Sequence, residues 1–575
     1  MGLMSLVIAF TTCLAFSQQP SLPPLPGPGA AAQRPQPAQA QEVKPEDYGV
    51  IEGKVLDSVT GQPLSKAQLT LFRDQGGRQP LVTSSDSSGA FVFRNVEPGS
   101  YYLSASRNRY ARQSYGQRSN TGRGAVINLS ARQKISDIVL RLAPGAIVTG
   151  RVVDEDGEPL PYVRVSLMQY RYTAGRRQLA PAPGGGSSND LGEYRIFGIP
   201  PGRYYVSATR SDYAMGSFAP ASGPGANTGY PTVYYPGVFD PTQTSPLVVK
   251  AGEEKAGIDF RIVRTQAVRI SGRVIDPSSN RLGDDIGVVL LGRSGAASFV
   301  DRRFVPVARE SGKFEIRGVS PGSYELSAFS RAGASDSRSA NLRLEVGSAN
   351  LENLELVLGH SATLQGVIKV EGGTQPAPSL DDLRVLLASG VEQFGRPWSS
   401  GSGAVKADGS FQLPGVAPGE YQVRLARLPE GMYLKSAFLG DQEALDKGLI
   451  VTSASDGAVL TLTISGDGAT VEGIVSDENE KPYTGATVVL VPEPARRHRQ
   501  DLYKSVSSDQ GGRFRLTAIA PGEYKLLAWD NVETGAWQDP DFLQSFEDKG
   551  TKLKIEARSS QVTELHLLQA SESER

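Results

Sequence analysis

With 575 residues the chain is too long for one hydrophobic core and divides into several domains on length alone. Its 60 basic residues face 61 acidic ones, which excludes a net basic surface for nucleic acid or anionic membrane. Glycine (64) and proline (38) punctuate short runs of Val, Ile, Leu, Tyr and Phe, the mix of an all-β protein with many turns.

Residues 1–17 read as a secretory signal peptide. Leu3 to Phe16 are almost wholly apolar or small, and Ala15-Phe16-Ser17 offers the small-x-small pattern of a signal-peptidase site. No Lys or Arg precedes the apolar run, and a short N-terminal membrane anchor is the alternative reading. The single cysteine, Cys13, lies inside this stretch. Cleavage after Ser17 would leave no disulfide and no thiol nucleophile. Past that point no run of about 18 apolar residues follows, so no membrane-spanning helix is expected. Residues 18–47, rich in Pro, Gln and Ala, read as a disordered linker. The chain is expected to be exported, to a periplasmic, cell-surface or extracellular place.

Self-similarity decides the fold. Five segments open on an apolar-x-Gly-x-apolar strand, centred on Gly53, Gly150, Gly272, Gly366 and Gly473. A Pro-Gly-x-Tyr element follows each glycine after 45 to 52 residues, ending at Tyr101, Tyr204, Tyr324, Tyr421 and Tyr524. Nine residues before each proline stands a glycine (Gly89, Gly192, Gly312, Gly409, Gly512), and two residues after that glycine an aromatic (Phe91, Tyr194, Phe314, Phe411, Phe514). Gly-x-aromatic is a turn feeding a half-apolar strand, and Pro-Gly is a tight reversal into the next. That strand alternates with period two, as in Tyr101, Leu103 and Ala105.

About seven short strands per unit is the scale of a Greek-key β-sandwich. The expected fold is all-β: five tandem sandwiches at residues 48–143, 144–265, 266–359, 360–467 and 468–570. Connections are short, so a semi-rigid rod is expected, on the order of 150 Å if compact units stack end to end.

Val55-Leu56-Asp57 with Gly61-Gln62-Pro63-Leu64, then Gly89 to Phe93, then Pro98 to Tyr101 resemble the carboxypeptidase regulatory-like domain family. The resemblance covers about residues 48–569, although the third and fourth units lack a clear Gly-x-Pro-Leu turn. It implies a transthyretin-like fold, overlapping with bacterial Cna B-type repeats and grouped with carbohydrate-binding-like folds. It therefore admits sugar binding. Some Cna B-type repeats carry a Lys–Asn or Lys–Asp isopeptide bond. Here the residue after the first-strand glycine is Lys54, Arg151, Arg273, Val367 or Ile474, so no recurring lysine supports such a bond. The zinc peptidase domain that gives the family its name is absent. His360, His498 and His566 are scattered, and none begins a His-x-x-Glu.

Catalytic, cofactor and metal sites are expected to be absent: there is no Gly-x-Ser-x-Gly elbow and no phosphate-binding loop. Asp154-Glu155-Asp156-Gly157-Glu158 and Asp477-Glu478-Asn479-Glu480 could hold calcium or simply form hairpins, and hairpins are the plainer reading. The five repeated tyrosines are read as core residues with the hydroxyl at the edge.

Differences between units are more suggestive. The second holds 10 of the 21 tyrosines. Tyr170 and Tyr172 follow its second strand, and an insertion carries Tyr213, Phe218, Tyr230, Tyr234, Tyr235 and Phe239. The fifth has Trp529, out of phase with Tyr524, Leu526 and Ala528 and so directed outward, then Trp537 and Phe542. Aromatic faces on loops suit a sugar ring or an extended peptide. The competing reading folds each insertion over its own sandwich. The candidate ligand-binding residues are thus Tyr170, Tyr172, Tyr230, Tyr234, Tyr235, Trp529 and Trp537. The sequence points to a non-enzymatic exported binding or scaffold protein of the cell envelope, with polysaccharide or an envelope protein or peptide as partner. A purely structural or adhesive stalk that binds proteins is the alternative.

Overall fold

The computed structural model describes residues 44–569 apart from 75–78, 119–121, 123, 174, 211–227, 267, 278–281, 283–285, 293–301, 320, 331–337, 373–377 and 394–395. The expected signal peptide and linker therefore lie outside the described residues, except for the last few linker positions.

The described chain is almost wholly strand and turn, and no helix in it is long and apolar enough to cross a membrane. Five pairs of sheets follow one another in tandem. In the first sheet of each pair the opening strand is central. It runs antiparallel to the strand that begins at the Gly-x-aromatic motif and parallel to the closing strand. In the second sheet the Pro-Gly-x-Tyr strand occupies the middle, as Gly99–Ser106 does between Gln68–Arg73 and Ile127–Leu129. Each pair encloses its own apolar core. In the first module Ile51, Val55, Leu69, Leu71, Phe91 and Leu140 are all within 4% of full burial. Alternation puts these side chains on the inner faces, and burying them is the main force holding each sandwich together.

The two most regular sequence motifs are physical partners. Across the antiparallel pair, Gly53 lies opposite Phe91, Gly150 opposite Tyr194, Gly272 opposite Phe314, Gly366 opposite Phe411 and Gly473 opposite Phe514. A β-carbon on Gly366 would stand 2.0 Å from Phe411 Cζ, and one on Gly473 1.8 Å from the Thr563 carbonyl oxygen. The bare backbone lets the ring lie over the strand and the closing strand come close. The repeated tyrosines are core residues with tethered hydroxyls. Tyr101 donates to the Glu97 carbonyl at 2.8 Å, Tyr204 to Pro200 at 2.8 Å, Tyr421 to Ala417 at 2.8 Å and Tyr524 to Ala520 at 2.9 Å.

The tandem order does not extend into an open rod. The fourth and fifth modules are fused: Tyr433 of the fourth is buried within the core of the fifth. The Arg499 guanidinium, 3% exposed, bridges Asp446 of the fourth at 3.1 Å and Asp501 at 2.6 Å. The fifth module then returns to the first. Asn128 Nδ2 donates to Asp509 Oδ2 at 3.0 Å, and the Asn128 carbonyl accepts from Gln510 Nε2 at 3.0 Å. Short connections were the basis for expecting a rod. They limit bending at each joint, but rotations of one sign can still accumulate over four joints.

Candidate functional site

The seven candidate ligand-binding aromatics fall into three groups, and all seven are engaged in packing. On the strand Gly522–Trp529, Tyr524, Leu526 and Ala528 point into the sandwich, while Leu527 and Trp529 leave by the other face. Val489 and Val491 of the neighbouring strand share that outer face. A sheet that is apolar on both sides needs a second cover. It is supplied by residues 530–549, which run through a 3-10 turn at Ala536–Gln538 and a short helix at Pro540–Gln544. Asp539 caps this helix by accepting from the Asp541 and Phe542 amides. Val532, Trp537, Phe542, Leu543 and Phe546 close over Trp529. Trp529 is completely buried, with Phe546 edge-on to it at 5.4 Å and Phe542 tilted at 5.9 Å. Trp537 is 5% exposed. Neither tryptophan offers a ring face to a ligand, because the segment that looked like a ligand platform is the lid of a second core.

The far end of this lid is pinned electrostatically. Glu547 accepts from Lys525 and pairs with Arg497 at 2.5 Å. The Arg497 and Lys525 bonds hold its carboxyl below the usual range against the opposing effect of burial. Burial raises the Tyr503 hydroxyl to about 12.

The second group lies in the second module. Tyr234 is 3% exposed and packs on Met168 and Leu179, a smaller cluster on the outer face of its own second sheet. Tyr235 packs on the sandwich core, edge-on to Phe260. Tyr170 is edge-on to Tyr205 at 5.0 Å, with the Arg177 guanidinium 4.6 Å from its centroid. Tyr230 has the Arg210 guanidinium 4.5 Å and that of Arg264 5.7 Å from its centroid, and its hydroxyl accepts from Arg264 Nε at 2.7 Å. Phe239 is half exposed, and Tyr213 and Phe218 lie outside the described residues.

Tyr172 stands alone, and its place was not foreseen. It leaves the second module and packs against the aromatic cluster of the fifth, 6.2 Å from Phe542. Glu533 on the lid faces Arg171 and Arg177 of the second module. Burial raises its carboxyl above the usual range, while the two arginines pull it back. The arrangement is a junction between modules, and its side chains serve cohesion rather than chemistry.

The acidic turns are hairpins: Asp154 Oδ1 accepts from the Asp156 and Glu158 amides, and Asp477 Oδ1 from the Asn479 and Lys481 amides. Among the described residues no cluster of three potential metal ligands occurs. A groove of about 630 Å³ on the third module is lined by Arg273, Phe304, Lys313, Glu315 and Glu355 among others; none of the candidate aromatics lines it.

Residues 50–132 and 147–228 match the family model of the carboxypeptidase regulatory-like domain. Over 139 residues the chain is 28% identical to the serine-aspartate repeat-containing protein D of Staphylococcus aureus (strain Newman), covering 22% of this chain and 10% of that protein. The match thus spans about a tenth of the length of the curated relatives. Among solved structures, a minor pilin of Streptococcus agalactiae aligns at 11% identity over 38% of this chain and 96% of its own, with a TM-score of 0.22. Two B repeat units of the collagen binding protein of Staphylococcus aureus align at 11% identity over 72% and 99%, with a TM-score of 0.13. The first two modules thus match the carboxypeptidase regulatory-like domain model, within a series of five β-sandwiches built on the same repeated motifs.

Proposed function

We propose that this chain is a non-enzymatic, exported scaffold of the cell envelope that acts through protein contacts. One observation carries the reading: the aromatic residues that vary between modules are used to join modules or to cover sheets. Such a chain is built to hold its own parts in a fixed relation. The same observation withdraws the support that open ring faces would have lent to polysaccharide binding. The repeated framework adds no site of its own, since its glycines, aromatics and tyrosines are accounted for by strand pairing and core packing.

The test is fractionation of producing cells combined with a glycan array probed with the purified full chain. The reading expects the chain in the envelope or extracellular fraction and a silent array. Retention in the cytoplasm, or saturable binding of a glycan, would overturn it.

A further inference from the structure

The junctions within the chain are of two kinds. The joint between the fourth and fifth modules buries Arg499 and Tyr433. The contacts of the fifth module with the first and second are of another sort. They include exposed or half-buried hydrogen bonds at Asn128, a cation–π contact of Arg118 on Tyr483 at 5.2 Å, the half-buried Tyr172, and Glu533 opposite Arg171 and Arg177. Polar, solvent-edged contacts of this sort are typical of interfaces that open.

These surfaces nevertheless fit closely, and the fit depends on glycine. A β-carbon on Gly485 would lie 2.5 Å from the Gly116 carbonyl oxygen. One on Gly175 would lie 2.6 Å from the carbonyl oxygen of Gln538, and one on Gly535 3.0 Å from that of Tyr172. The repeat shows that bulk is otherwise tolerated at the first of these positions. Ser85, Ser188 and Ser508 each donate to a turn carbonyl and accept from an amide three residues on, which aligns Lys66, Tyr162 and Gly485. Tyr162 is 84% exposed there. The fifth module, which docks, has only a hydrogen.

We propose that the surface by which the fifth module grips the first two also grips the first two modules of a second copy of this chain. The contact joins residues 381 and 382 positions apart, and the two surfaces differ from one another. Nothing in them distinguishes the chain's own modules from a neighbour's. Contact within the chain is favoured by an effective concentration on the order of mM, so exchange between chains takes over as local density approaches that value. Exchange of an identical element is a low-cost route to assembly, because every contact is already optimised within one chain. This goes beyond the scaffold reading and fails separately from it, since it is read on purified chain alone.

The test uses two full-length variants in a Cys13→Ser background, Asn128→Cys in one and Gln510→Cys in the other, one of them size-tagged. They are opened together in mild urea, refolded as a mixture and treated with a short bismaleimide. The expected result is a cross-linked heterodimer about tenfold more abundant than either homodimer at about 500 µM and falling away near 5 µM. Tyr172→Ala is expected to cut the heterodimer severalfold while leaving tryptophan emission unchanged. A chain carrying both cysteines reports the internal contact. Internal cross-linking with heterodimer never above the homodimers overturns the proposal, and absence of both products overturns it together with the internal contact.

Discussion

The joint between the fourth and fifth modules and the clasp between the fifth and second both use a tyrosine from one module inside another, but to different depths. Tyr433 is 7% exposed and counts among the core residues of the fifth module. Tyr172 only borders the aromatic cluster. Beside Tyr433, Arg499 reaches across with two carboxylates and the Leu434 carbonyl as partners. Beside Tyr172, Glu533 is raised by burial with Arg171 and Arg177 as its opposing charges. Tandem sandwiches of one fold are thus joined to different depths, according to how far an apolar ring and its ionic neighbour are withdrawn from water.

Substitutions should separate the two joints. The largest effect is expected for Tyr433→Ala, which removes a core ring and should cost the fifth module about 3–5 kcal/mol in urea unfolding followed by tryptophan emission. An unchanged midpoint would mean the fourth module is merely adjacent. Tyr172→Ala should weaken docking by about 1–2 kcal/mol, as suits a half-buried ring, yet shift the unfolding midpoint of the fifth module very little.

Acidification should act on the clasp through Glu533. Burial raises the Glu533 carboxyl while Arg171 and Arg177 lower it, so the docked state binds the proton more readily than an open state in which Glu533 meets water. The stabilisation from protonation is fully present below the ordinary carboxylate pKa and is lost as pH rises through the raised value. Scattering or cross-linking should therefore report tighter docking near pH 4 than at pH 7, and Glu533→Gln should flatten the profile. A clasp that loosens on acidification would show that the arginines dominate instead. The smallest effect is expected for Asn128→Ala, which removes the half-buried side-chain bond to Asp509, keeps both backbone bonds to Gln510, and should cost docking under about 1 kcal/mol.

Much of the framework was legible in the sequence, because its motifs recur at fixed spacing. The alternation around Tyr101 and Tyr524 gave strands with one inner face, and the structure tethers those hydroxyls where a core tyrosine needs them. The pairing of Gly53 with Phe91 was visible only as two separate motifs, since the 37 intervening residues carry no record of register. The parity of Trp529 directed it away from the sandwich, and that is its direction. What parity cannot show is whether something covers that face, and the apolar content of residues 532–546 was the available signal. The return of the fifth module to the first was not legible, because a contact between Asn128 and Gln510 has no local period. Its one trace in the sequence is Gly485, standing where the first two modules carry Lys66 and Tyr162.

A distance measurement tests the return of the fifth module to the first most directly. Spin labels at Ser130 and Arg513, two and four residues from Asn128 and Asp509, should give a dipolar distance peaking below about 40 Å in the full chain at low micromolar concentration. An extended series of sandwiches would hold these labels beyond about 100 Å. A distribution with no population below about 60 Å would contradict the closed arrangement, and with it both the clasp and its exchange between chains.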